Sequence, residues 1–172
     1  MNDSANAQAQ TERIAIESFD KEFARLHARS CNLIAATPAE ILYQDPRGAD
    51  GTTTANSIGE NVLRSAAAVE QTFGGITANL WDDPFEWTLP ETLATPERLI
   101  EYLWEVEQTR KRAFVPFSND ANLLKEVAIP SGETKSLISL LLETMVRTSE
   151  YQGRAIATLK MLSDVRSPGF II

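Results

Sequence analysis

His27 and Cys31 are four residues apart, so a helix would place an imidazole and a thiol on one face. Such a pair can supply two metal ligands, with Glu150 or another acid completing the set, or a nucleophile with a base beside it. No third group that would orient the pair is visible, and a lone histidine and a lone cysteine on a helix serve equally well as packing residues. A second concentration of polar groups interrupts the stripe Leu137, Leu141, Thr144, Thr148, Tyr151, Ala155, Leu159 and Leu162, with Arg147 alongside. A polar layer inside a packed face needs partners, because unpaired burial costs about 1–3 kcal/mol per group. The middle of that stripe is therefore a candidate site. Arg110 interrupts another apolar stripe in the same way, and Lys111 and Arg112 follow it near a helix C-terminus, where cations suit the dipole. Trp81, Phe85 and Trp87 can roof a pocket, anchor an interface or close the core. Phosphate loops, dinucleotide fingerprints, HExxH and nucleophile elbows are absent from the sequence.

The elements that must position these residues follow from periodicity and caps. Ile16, Phe19, Phe23, Leu26 and Leu33 form one stripe with Ser30 as its weak point, which predicts a helix from about Thr11 to Ala36. Thr37-Pro38-Ala39-Glu40 has the pattern of a capping box with proline at the first helical position, opening a short turn. Residues 44–56 have loop composition. Ser57 caps a second helix to about Asn79, with Ile58, Val62, Val69, Phe73 and Ile76 on its apolar face and Gly74-Gly75 weakening its last turns. Leu80–Ala94 is an aromatic-rich loop, after which Thr95-Pro96-Glu97 opens a third helix whose stripe is Leu99, Leu103, Val106, Arg110 and Ala113 or Phe114. An extended piece at Leu123–Ile129 leads towards the last helix, Leu137–Leu162. Four amphipathic helices with few strand signals predict an all-α four-helix bundle with long connections after the first, second and third helices. The domain reading is a disordered polar tail at 1–10, the bundle at 11–163 and a C-terminal tail at 164–172.

Composition narrows the function classes. The 172 residues fit one domain with its own core, and 43% hydrophobic with 23% charged residues is ordinary globular composition. A net charge of −8 opposes binding to phosphate backbones, so nucleic acid is not an expected partner. A single cysteine excludes an internal disulfide and every CxxC motif, and suits a reducing compartment. No apolar run approaches the roughly 20 residues needed to span a bilayer, and the N-terminal residues lack the form of a signal peptide. The expected address is the cytoplasm, with no membrane partner.

The order of Thr37-Pro38-Ala39-Glu40-Ile41-Leu42, Ser57-Ile58-Gly59-Glu60, Thr95-Pro96-Glu97-Arg98-Leu99 and Glu150-Tyr151-Gln152-Gly153-Arg154 resembles the DinB/YfiT-like superfamily of four-helix bundles over about Phe19–Leu162. That resemblance implies the bundle, a tendency to dimerise and a pocket where the family holds a divalent metal on three histidines. Carried over, those positions fall on Arg64, Arg147 and Tyr151. None is a histidine, and the chain contains only His27, so a three-histidine site within one chain is excluded. The expectation is a metal-free, cofactor-free protein in which two guanidinium groups and a phenol take a small anionic ligand. His27, Cys31, Arg110, Thr144 and Thr148 are possible pocket neighbours. Equally, the same residues can form a structural polar network in a homodimer, the arginines pairing with Glu143, Glu70 or Glu107. Two alternatives stand beside this reading. One is a metal-dependent thiol S-transferase or hydrolase using ligands from His27, Cys31 and acids, and the other is a protein-interaction module built on the aromatic loop.

Overall fold

The computed structural model describes residues 13–47, 51–52, 55–84 and 90–164. Four helices dominate them: α1 (Ile14–Ala36), α2 (Ile58–Ala78), α3 (Pro96–Phe114) and α4 (Leu137–Leu162). A small antiparallel hairpin, β1 (Glu126–Ala128) and β2 (Thr134–Ser136), precedes α4. The chain is thus mostly helical, and no described helix is long and apolar enough to cross a membrane. Phe85 and Trp87 lie outside the described residues, as do residues 1–10 and most of the C-terminal tail.

Each helix starts where its sequence can satisfy the free N–H groups of a first turn. Ser57 and Glu60 make a complete capping box at α2, Thr95 accepts from the Arg98 amide at α3, and Ser136 accepts from the Ser139 amide at α4. Helix α1 is capped from elsewhere. Arg13 offers no side-chain cap, and the Asp120 carboxylate instead takes the Ala15 and Ile16 amides at 2.9 and 3.0 Å, across more than a hundred residues of chain. The predicted box at Thr37 does not form. The Thr37 hydroxyl donates back to Leu33 O at 2.7 Å, closing α1, and Pro38 precedes a single 3-10 turn at Ala39–Ile41.

Helix α2 packs against both α3 and α4, and α1 also packs against both, whereas α1 barely meets α2. The cross-helix contacts fix the directions. Ser65 meets Thr148 and Thr72 meets Thr144, so α2 and α4 are antiparallel; Asp20 meets Arg110 and His27 meets Trp104, so α1 and α3 are antiparallel. Glu70 meets Tyr102 and Phe73 meets Phe114, so α2 and α3 run the same way. Consecutive helices are therefore never antiparallel neighbours. A short turn can join only such neighbours, which is why all three connections are long.

The predicted stripes line one shared core: Ile16, Phe23, Leu26 and Leu33 from α1, Val62 and Phe73 from α2, Leu99 and Leu103 from α3, and Leu141, Ala155 and Leu159 from α4 are buried. Phe23, Phe73 and Phe114 stack at centroid distances of 5.3 Å and 5.4 Å along that chain of rings. In α4 the buried position after Thr148 is Gln152, with Tyr151 only partly buried. The stripe takes a step of four at that point, which turns Tyr151 towards the edge. The Gly74-Gly75 pair does not weaken α2 to no purpose, because a Cβ on Gly75 would overlap the Trp81 ring, which lies against the helix backbone there. Leu123 and Leu124 belong to a 3-10 turn, and the extended piece begins only at Glu126.

Candidate functional site

A layer of polar side chains crosses the core halfway along the helices. Gln152 on α4 is fully buried, and its Nε2 donates to Leu26 O at 2.7 Å and to Ser30 Oγ at 2.8 Å on α1. A backbone carbonyl only accepts, so this contact fixes which end of the amide faces α1. Ser65 Oγ on α2 donates to Thr148 O at 3.2 Å, and one turn back along α4 Thr144 shares a hydroxyl contact of 2.7 Å with Thr72 of α2. Ser30, the weak point of the α1 stripe, is thus the partner that α4 requires. Two groups of the layer have no hydrogen-bond partner: Thr148 Oγ1 and Gln152 Oε1, on residues 3% and 0% exposed.

Arg110 on α3 is, among the described residues, the largest fully buried side chain, at 1% exposure. Its Nε and Nη2 grip both oxygens of the buried Glu107 at 2.7 and 2.8 Å, and Nη1 reaches Asp20 on α1 at 2.6 Å. The guanidinium also lies over the Phe114 and Phe23 rings at 5.3 and 5.9 Å. Burial opposes its charge, yet the bonds to Glu107 and Asp20 outweigh that and raise its pKa above the ordinary value. Lys111 approaches Glu107 at 3.6 Å. Two cations and two anions therefore balance locally.

Between the polar layer and this network lies a cavity lined by all four helices. Its walls are Phe23, Leu26, His27 and Ser30 of α1, Ser65, Ala66 and Val69 of α2, Leu103, Val106, Glu107 and Arg110 of α3, and Thr148 and Gln152 of α4. About 30 Å³ of it is open to water centres, room for about two waters. His27 forms part of the wall and stands edge-on to Trp104, a half-exposed residue, with centroids 4.6 Å apart.

The expected site residues do not all meet at this cavity: Arg64, Cys31 and Tyr151 are partly buried elsewhere and Arg147 is exposed. His27, Arg110 and Thr148 line it, and Thr144 sits one turn along the same layer. Arg64, Arg147 and Tyr151 are not among its lining residues. Arg147 is exposed and donates to Gln71 Oε1 at 3.3 and 3.4 Å, while Arg154 lies over the Tyr151 ring at 5.2 Å. In all three cases the inward position is the next residue: Ser65, Thr148 and Gln152. A step of one residue turns a helical side chain through about 100°, enough to move it from the core to the edge. Ser65, Gln152 and Asp20 were missed by sequence reasoning. The signal for Gln152 was available, because Thr144, Thr148 and Gln152 are spaced at four.

His27 Nε2 and Cys31 Sγ lie 3.6 Å apart, but the pair is not an activated thiolate. Desolvation lowers the His27 pKa, with Lys111 and Arg110 adding to the fall against the pull of Glu107. Burial raises the Cys31 pKa from 9.0 to about 11, and Glu107 pushes it the same way. Glu150 is exposed and pairs loosely with Arg154 at 4.0 Å. Among the described residues no group of three or more His, Cys, Asp or Glu side chains is placed to hold a metal ion. Glu143 is engaged by Lys135 at 2.7 Å, Glu70 accepts from Tyr102 at 2.6 Å, and Trp81 Nε1 donates to Asn79 at 3.0 Å.

The chain matches no family model, no curated protein and no solved structure.

A thiol with a pKa near 11 holds about a hundredfold less thiolate at neutral pH than one at 9.0. Alkylation of Cys31 by iodoacetamide at pH 7.5 should therefore run about a hundredfold slower in the folded protein than after denaturation, rising about tenfold per pH unit and levelling off only near pH 11. Comparable rates in the two states would restore Cys31 as a candidate nucleophile.

Proposed function

We propose that this chain is a DinB-like four-helix bundle that binds a small molecule non-covalently in its central cavity. The observation that carries the reading is the pair of buried, unpartnered groups, Thr148 Oγ1 and Gln152 Oε1, on the cavity wall. Leaving two such groups unpaired in a core costs stability, and a binding site is a place where that cost has a use. The bundle reading is supported by four capped helices around one core and by a polar layer midway along α4. An anion is less well suited to the cavity than expected, because its one cation, Arg110, already serves Glu107 and Asp20. Thiol-transfer chemistry has little support from a cysteine held as the neutral thiol.

Fragment screening by two-dimensional NMR tests the location. Hits should shift the amides of Leu26, Ser65, Leu103 and Gln152, remain unchanged in Arg147→Ala, and vanish in Ala66→Val, which narrows the cavity while keeping an apolar side chain. Hits lost in Arg147→Ala but kept in Ala66→Val would return the site to Arg64, Arg147 and Tyr151.

A second reading, the homodimer, is favoured by the outer face of α4, where Leu142, Val146 and Met161 are exposed. Glu143, Arg147, Glu150 and Arg154 flank that face, and their signs exchange when the order is reversed. Two copies crossing antiparallel near Thr148 would set Glu143 against Arg154 and Arg147 against Glu150. Sedimentation should show a dimer weakened by Arg154→Glu and restored by adding Glu143→Arg. A monomer at all concentrations would end this reading.

A further inference from the structure

We propose that the cavity is a site for a small neutral primary amide, held between Thr148 and Gln152. This rests on the pocket reading above and adds to it the chemistry of the ligand. Both N–H bonds of Gln152 are spent on Leu26 O and Ser30 Oγ, so what it turns to the cavity is a bare acceptor, Oε1. The Thr148 hydroxyl does not take the usual helical route of donating to the carbonyl four residues back, and is without any partner. Ser65 gives its hydrogen to Thr148 O and keeps its lone pairs. The wall thus offers one acceptor and one free hydroxyl, four residues apart on one helix face.

Ligand classes differ in how they meet that pair. A primary amide gives an N–H to Gln152 Oε1 and takes the Thr148 O–H on its carbonyl. A carboxylate has only acceptors and would set one against Gln152 Oε1. An ammonium group would add a positive charge beside Arg110 and Lys111, whose charges Glu107 and Asp20 already match. Desolvating that extra charge without a partner is costly. Size points the same way. The hollow as a whole, counting its open side, has about 320 Å³ of empty space, enough for an amide of four heavy atoms whose short end reaches towards that side. Phe23, Val69 and Leu103 form the apolar wall for a short aliphatic end.

Acetamide and acetate are near-isosteres that separate the possibilities, with chemical shifts of the Gln152 side-chain amide and the Thr148 methyl as readout. Acetamide should shift both saturably and acetate neither, and Thr148→Val, which keeps shape and loses the hydroxyl, should weaken acetamide by about tenfold, the worth of one hydrogen bond. Saturable shifts with acetate alone would overturn the amide assignment and leave the pocket reading standing. No saturable shift with either probe, together with cross-relaxation from long-lived water to the Thr148 methyl, would overturn both and make this a water-bridged structural layer. Acetamide binding that is equally strong in Thr148→Val would also overturn the assignment, because the hydroxyl would then take no part.

Discussion

A guanidinium group withdrawn from water must find its counter-charges inside the protein, and Arg110 imposes that constraint on the whole helical core. Its desolvation would cost several kcal/mol if unmatched. Glu107 supplies a two-point grip from one turn earlier on the same helix, and Asp20 supplies the third contact from α1, with its carboxylate half in solvent. Phe23 and Phe114 cover the guanidinium, so the aromatic chain through Phe73 is continuous with the ion pair. The network therefore sets the register of α1 against α3. It also leaves the cavity beside it without net charge, since Lys111 and Arg110 are matched by Glu107 and Asp20.

The opposite wall is built from neutral hydrogen bonds rather than ions. Ser30, Ser65, Thr148 and Gln152 tie α1 and α2 to α4 at one level. One turn back along α4 and two turns on along α2, Thr144 and Thr72 make a second hydroxyl contact between the same helices. Ions on the α3 side and amides or hydroxyls on the α4 side divide the work: one fixes position, and the other leaves hydrogen-bonding capacity facing the space between.

Much of this was legible in the sequence because most of the signals are local. The apolar stripes of α1 and α3 are those read from spacing, down to Ser30 and Arg110 as their polar interruptions, and both prove to be buried. The caps at Ser57 and Thr95 depend on neighbours three residues away, and the span of α4 is the one read from its periodicity. What failed depends on a phase or on distant chain. Thr148 can be followed by an inward residue at three or at four; Tyr151 is the more apolar choice, but the helix buries Gln152, whose partners are on α1. Arg64 and Arg147 likewise stand one residue before the positions that line the cavity, Ser65 and Thr148. Asp120 capping α1 joins segments that no local pattern connects. The second strand, Thr134–Ser136, is too short and polar to announce itself.

The central claim is that Arg110 and Glu107 are matched to each other within the core, so that either alone is a liability. A double-mutant cycle followed by urea denaturation measures this most directly. Glu107→Gln and Arg110→Met should each cost about 3–5 kcal/mol by leaving the other's charge buried and less well matched, while the double variant should lose far less than their sum. Additive losses, or single variants within about 0.5 kcal/mol of the parent, would contradict the account by showing that the pair is not the buried constraint on which the cavity's neutrality depends.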